Sequence, residues 1–219
     1  RCWVAENVPR CAPREMLVED LPGVVELHRH CFPDYFLTGL GPGALYCFYA
    51  AAVEDPRTVA AVLVEQSRGD IVGLVVGTLN PAFHTRLLRR NFDRFAIGLL
   101  RGLFTSTTVR QGVKSRLNFF ARLFKPKMDD TLERAGVPTT DLPEARLLDV
   151  ATHANWRGGR NAEILVDFFV DRMLHVGAGR VGATVRPDNI GSLILYKRLG
   201  WNTMRTGPER IDVWLDRPA

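Results

Sequence analysis

At 219 residues the chain is long enough to bury roughly 70% of its unfolded surface, as one domain or a domain carrying a large insertion. Its apolar share, 46%, is ordinary, no run nears the ~18 uncharged apolar residues that cross a bilayer, and no secretory leader is visible, so a cytoplasmic protein is expected. The net charge of +5 is concentrated: His84 to Lys127 holds eleven basic residues against Asp93 alone and carries +10, leaving −5 on the rest.

Residues 1–13 show no period, and Glu15 to Val18 is expected as a short first strand. Glu19-Asp20-Leu21-Pro22 reads as a helix start, with acids at the positive end of the dipole, and Val24, Val25, Leu27, His28 and Cys31 follow at helical spacing until Pro33. His28, His30 and Cys31 crowd together, but His30 falls on another side of that helix, so no metal site is expected. The four cysteines (Cys2, Cys11, Cys31, Cys47) have irregular spacing and no C-x-x-C, which argues against a structural zinc site and gives no disulfide framework, so reduced thiols are expected. Phe32, Tyr35, Phe36 and Leu37 form an apolar knot that suits the core or one wall of an acceptor pocket.

After the turn Gly39-Leu40-Gly41-Pro42-Gly43, Ala44 to Val53 is predicted helical. Thr58 to Glu65 and Ile71 to Leu79 are β-branched runs joined by Ser67-Arg68-Gly69-Asp70, the composition of a hairpin. Gly73 and Gly77 within the second run predict a bulge or a close approach by another backbone or ligand.

Residues 81–143 interrupt the strands. Leu88, Phe92, Phe95, Leu99 and Leu103 predict the apolar stripe of one helix, and Val113, Leu117, Phe120 and Phe124 that of a second, both flanked by arginines and lysines. Such a pair suits an accessory element packed on the domain with solvated arginines, or a basic amphipathic surface for an anionic membrane or a lipid-linked acceptor. RNA and a second copy of the chain stand behind these, and no aromatic-and-basic nucleic-acid motif supports RNA.

Leu147 to Phe169 passes from an apolar run through Asn155-Trp156-Arg157-Gly158-Gly159-Arg160 into a helical pattern at Ile164, Leu165, Phe168 and Phe169. A strand, a glycine turn and a helix result, and the unpaired first N–H groups of the helix make an anion site that suits a pyrophosphate. Arg180 to Val185 is a further strand, Ile190 to Leu199 a helix begun by Asn189, and Trp201 to Arg205 with Arg210 to Leu215 a final hairpin.

Two motifs coincide with this order. Val150 to Ala162 (VATHANWRGGRNA) resembles the acetyl-coenzyme A loop of the GNAT N-acetyltransferase superfamily. Asn189 followed by Leu195-Tyr196-Lys197-Arg198-Leu199-Gly200-Trp201 resembles that superfamily's second signature. The resemblance implies an α/β GNAT fold: a mixed, mostly antiparallel central sheet flanked by helices, with a basic helical insertion between the third and fourth strands. It covers residues 14–80 and 144–216 of a single domain and leaves 81–143 outside.

It also implies roles. The backbone of Val150, Ala151 and Thr152 would pair with the pantetheine arm of acetyl-CoA, the co-substrate, and an N–H near Ala151 or Thr152 would meet the oxyanion. The N–H groups of Arg157, Gly158, Gly159, Arg160, Asn161 and Ala162 would hold the pyrophosphate. Arg160 stands where the family favours glycine, so it either adds a phosphate contact or blocks the groove. Asn189 would bind cofactor or cap its helix. Tyr196 would protonate the departing thiolate. Some relatives carry a base where this chain has Thr184, so Asp149 and His153 are the local alternatives, beside delivery of a neutral amine. The function implied is acetyl-CoA-dependent N-acetylation of a small primary amine, such as an amino sugar or natural-product intermediate, by direct transfer in a ternary complex and without a metal. A longer acyl-CoA or acyl-carrier-protein donor, and an inactive GNAT-like module at an anionic membrane, are the alternatives.

Overall fold

The computed structural model describes residues 10–111 and 142–216. Seven strands form one sheet: β1 (Cys11–Glu15), β2 (Thr58–Glu65), β3 (Ile71–Thr78), β4 (Glu144–Thr152), β5 (Arg180–Val185), β6 (Asn202–Gly207) and β7 (Arg210–Asp216), in the spatial order β1-β2-β3-β4-β5-β7-β6. Neighbours are antiparallel except β4 and β5, which run parallel. The near-continuous apolar runs of β2 and β3 follow from having both faces covered.

One face carries α1 (Leu21–Cys31), the short α2 (Phe36–Gly39) and α3 (Pro42–Glu54), with Leu21, Val24, Leu45 and Tyr49 packed against Val62, Leu74 and Val76. The other carries α6 (Asn161–His175), whose Leu165, Val166, Phe169 and Met173 lie on Ala61, Leu63 and Val75. Each such fully buried side chain is worth about 1.5–3 kcal/mol in transfer from water, so these two layers fix the sheet on which everything else depends. The loop after β5 leads into α7 (Ile190–Arg198), which places Tyr196 on the α6 side of the sheet.

Between β3 and β4 in the chain come α4 (Phe83–Arg90) and α5 (Phe92–Thr105). The single helix expected from the Leu88–Leu103 stripe is corrected here to two, because Asn91 leaves helical geometry (φ −126°, ψ 31°) and its side-chain amide donates to the Leu87 carbonyl at 3.1 Å. The buried side of α5 is also narrower than the stripe. Phe95, Gly98 and Gly102 face inward, because a Cβ on either glycine would meet the backbone around Gly39 and Leu40, while Phe92 is 63% exposed. The second expected stripe, from Val113 to Phe124, lies outside the described residues.

The first strand is displaced from its expected place. It spans Cys11–Glu15, and Val18–Asp20 forms a 3-10 turn instead. Pro13 is tolerated within it, since β1 is an edge strand paired only with β2. No described helix is long and apolar enough to cross a membrane.

Candidate functional site

Two features of β4 build the site. The first is a bulge: Val76 of β3 pairs with Asp149 while Gly77 pairs with Leu147, so Leu148 is an extra residue on β4. Ala145 and Leu147 point to the α6 face, and simple alternation would send Asp149 after them. The bulge flips the phase, and Leu148, Asp149 and Ala151 face α1 and α3 instead. The Gly77 of the sequence expectation marks this place: the bulge belongs to the opposite strand, and Phe169 and the Arg146 carbonyl close on Gly77 so tightly that no Cβ fits.

The second feature is divergence. β4 and β5 pair only through Glu144–Arg146 and Arg180–Gly182. Beyond Arg146, from Leu147 to Thr152, β4 has β3 on one side and a gap on the other, toward which every second residue turns its N–H and C=O. Val150, Ala151 and Thr152 edge this gap.

At the open end of the gap lies the turn into α6. Gly158 takes φ +84°, a conformation L side chains rarely adopt, and the chain then enters α6 with Arg160 as its N-cap. Ile164 N–H is the first to find a helical carbonyl, that of Arg160 at 2.8 Å. The amides of Gly158, Gly159, Arg160, Asn161 and Ala162 are thereby left to face outward at the positive end of a 15-residue helix. Arg157 differs. Its N–H bonds the Ala154 carbonyl at 3.2 Å and its side-chain Nε the Thr152 carbonyl at 3.0 Å, tying the turn back to the end of β4. The Arg160 side chain is exposed and lies on Glu163, leaving the groove clear.

Asp149 faces the α1–α3 side of the sheet and Tyr196 the α6 side. Asp149 Oδ2 accepts from the Tyr49 hydroxyl at 2.6 Å and lies 2.9 Å from His28 Nδ1, which is itself 2.7 Å from the Tyr49 oxygen. His28 is 2% exposed and Tyr49 fully buried. Burial and then the Asp149 charge hold the Tyr49 phenol well above its ordinary titration range, which keeps it a proton donor. Tyr196 is buried against Trp201, ring centroids 4.7 Å apart. Burial and the nearby Asp149 carboxylate push its phenol up as well. Tyr35 packs its ring on Phe32 at 4.6 Å, and its phenol is raised chiefly by burial and then by the Asp149 charge, with the Arg186 charge opposing.

The remaining expected residues are placed elsewhere. His153 lies past the end of β4, stacked on His30 at 4.7 Å and accepting from the Asn155 N–H, and makes no hydrogen bond to Asp149 or Tyr196. Asn189 caps α7 through the Ser192 N–H at 3.2 Å. Thr184 accepts from Arg146 and donates to Asp212, a structural role within the sheet. Sequence reasoning had no place for His28 or Tyr49 at the site. Their only signal was polarity at positions of otherwise apolar helical stripes, since each turns inward beside residues such as Val24, Leu27, Leu45 and Ala52.

Residues 125–201 match the model of the acetyltransferase (GNAT) family. Similar solved structures include the protein SsHAT, 20% identical with a TM-score of 0.62 over 95% of this chain and 98% of that one. An agmatine N-acetyltransferase is 15% identical with a TM-score of 0.56 over 95% and 100%. NAA60 of Arabidopsis thaliana, solved in complex with acetyl-CoA, is 14% identical with a TM-score of 0.54 over 93% and 96%. At these identities the likeness is one of fold. No curated protein matches the chain by sequence.

Proposed function

We propose, from the match of residues 125–201 to the acetyltransferase (GNAT) family model and the fold shared with solved acetyltransferases, that the chain is a GNAT N-acetyltransferase that moves an acetyl group from acetyl-CoA to a primary amine of a small molecule, by direct transfer in a ternary complex. The observation that carries this is the gap between β4 and β5, with unpaired amides at its open end and with Tyr196 and Asp149 on opposite faces of the sheet. The pantetheine arm fills the gap as a short added strand along Val150, Ala151 and Thr152. The pyrophosphate sits on the amides of Gly158 to Ala162, and Asn189 orders the neighbouring helix start.

The acceptor arrives as an ammonium and docks on Asp149, which takes one proton. The amine nitrogen then attacks the thioester carbon, and a β4 N–H stabilises the oxyanion in a site shielded from water. The C–S bond breaks, the thiolate takes the Tyr196 proton, and the nitrogen gives up its second proton to solvent, to which Asp149 also returns the first. Tyr196 is reprotonated from solvent, so one proton is released per acetyl group transferred. His153 is too far engaged with His30 and Asn155 to be the better base.

The test is thiol release from acetyl-CoA across a panel of primary amines, for the full chain and for Asp149→Asn. Turnover with at least one amine, lost by about 10²-fold or more in the variant, supports the reading. Acetyl-CoA binding without turnover on any amine would instead make the chain a binding module.

A second observation favours a surface role alongside this chemistry. Phe92, Ile97, Leu100 and Phe104 of α5 are exposed, Phe104 by 83%, among the exposed Arg89, Arg90, Arg94 and Arg101. A helix that is apolar both inward and outward has a second partner, and arginines around that face suit an anionic membrane carrying a lipid-linked acceptor or a longer acyl donor. Salt-sensitive pelleting with phosphatidylglycerol vesicles, absent with phosphatidylcholine and lost in Leu100→Asp/Phe104→Asp, is the expected result.

A further inference from the structure

His28 of α1, Tyr49 of α3 and Asp149 of β4 converge on one carboxylate oxygen although 21, 100 and 121 residues separate them in pairs. The proton placement is fixed by the geometry. Tyr49 has one hydrogen, and at 2.6 Å it goes to Asp149 Oδ2. With the hydrogen of His28 on Nε2, the bare Nδ1 lone pair would oppose the carboxylate at 2.9 Å, and the sealed Nε2, which has no partner, would bury an unanswered donor. The hydrogen therefore sits on Nδ1, and both residues donate to Oδ2.

Oδ2 is thus saturated. Oδ1 is not among the buried unpartnered atoms and makes no hydrogen bond among the described residues, while the Asp149 side chain retains 11% exposure. The accessible acceptor capacity of the carboxylate therefore lies on Oδ1. We propose that His28 and Tyr49 are positioning residues: by holding Oδ2 from behind they fix the Asp149 plane, so that Oδ1 alone receives the acceptor ammonium and its proton. Two donors on one oxygen, each on a different buried helix, prevent the carboxylate from rotating about χ2, a torsion that is otherwise soft. A primary ammonium, which offers a hydrogen to Oδ1 while keeping its path to the thioester, fits this arrangement. A tertiary amine has no hydrogen to lose on acylation. The inference rests on the acyl-transfer reading above.

The experiment compares the full chain with Tyr49→Phe, His28→Asn and His28→Leu, using one amine that turns over. It reads kcat and KM for the amine, acetyl-CoA affinity by calorimetry, and the thermal midpoint. Loss of the plane should lower kcat/KM for the amine about tenfold or more in Tyr49→Phe, with acetyl-CoA Kd within twofold. His28→Asn, which keeps a short donor, should recover activity over His28→Leu. Folded variants with unchanged amine kinetics, or with acetyl-CoA affinity and amine kinetics falling together, would overturn the positioning role while leaving acyl transfer in place. If wild type turns over no amine, the acyl-transfer reading fails and this inference with it. Where the variants do not fold, proton NMR of the wild type decides: a His28 Nδ1–H resonance far downfield, lost in Asp149→Asn, is expected, and its absence overturns the proposal.

Discussion

The Arg160 guanidinium lies along its own helix, Nε 3.1 Å from Glu163 Oε2, and not across the turn whose amides it helps present. A side chain that stands where glycine is favoured therefore lies away from the amides proposed to hold the pyrophosphate. Its ion pair is 81% exposed on the arginine side and of a kind worth about 0–1 kcal/mol.

Replacing Arg160 by Ala should leave acetyl-CoA Kd within about threefold, with the thermal midpoint unchanged to about a degree. Calorimetric titration decides. A loss near a hundredfold would show the guanidinium swinging onto a phosphate, and a gain near a hundredfold would show that it blocks the groove.

Tyr196→Phe should lower kcat by about 10²-fold without changing acetyl-CoA affinity, because the ring still packs on Trp201 and only the proton is lost. The wild-type phenol is raised above its ordinary value near 10. It stays protonated through and beyond neutrality, so no alkaline loss of activity from this residue is expected below about pH 10. Steady-state rates from pH 6 to 10 would expose a lower-titrating acid if the assignment is wrong.

At Gly77 a Cβ would lie 2.6 Å from Phe169 Cε2 and 2.7 Å from the Arg146 carbonyl oxygen. The carbonyl belongs to β4 and does not retreat cheaply. Gly77→Ala should cost about 1–3 kcal/mol and drop the thermal midpoint by several degrees, and the distortion falls on the bulge that aims Asp149. Urea melts of the two proteins give the number, and a difference below half a kcal/mol would mean that α6 yields more readily than its packing indicates.

Asp212 is fully buried on β7. Burial raises its carboxyl, but bonds from Thr184, Arg210 and Thr206 outweigh that and hold it below the usual carboxylate range. Asp20, bonded by Arg14, is lowered in the same way. A depressed folded-state value contributes stability above the unfolded value, near 3.9, and that contribution is lost as pH falls through the folded one. Stability from these groups should be level from neutrality to about pH 5 and decline below. Thr184→Val should shrink the acid-dependent part and lower stability at neutrality by about 1–3 kcal/mol. Chemical melts at pH 3, 5 and 7 test both statements.

The layers were legible in the sequence because β2, β3 and α6 carry long, unbroken apolar periods, and the turn at Gly158 is announced by its glycines. The errors have physical causes. Pro13 reads as a strand breaker unless the strand is known to be an edge. Leu88 and Phe92 keep helical spacing across a helix break at Asn91, and a stripe of large residues cannot show that Gly98 and Gly102 are the buried ones. Most of all, the phase flip at Leu148 leaves no mark in composition, so alternation alone would aim Asp149 toward α6, away from His28 and Tyr49.

Only three residue pairs stitch β4 to β5, with the Gly179 and Arg180 N–H groups bonding the Pro143 carbonyl just ahead of them. A ligand lying in the cleft does more than occupy it: it supplies missing rungs along a sparsely paired seam of the sheet. Acetyl-CoA should then act as a mortar, raising resistance to proteolysis and heat by the mass-action amount, about 2.7 kcal/mol at a hundred times Kd, and slowing amide exchange along Leu147–Thr152 ahead of any other strand.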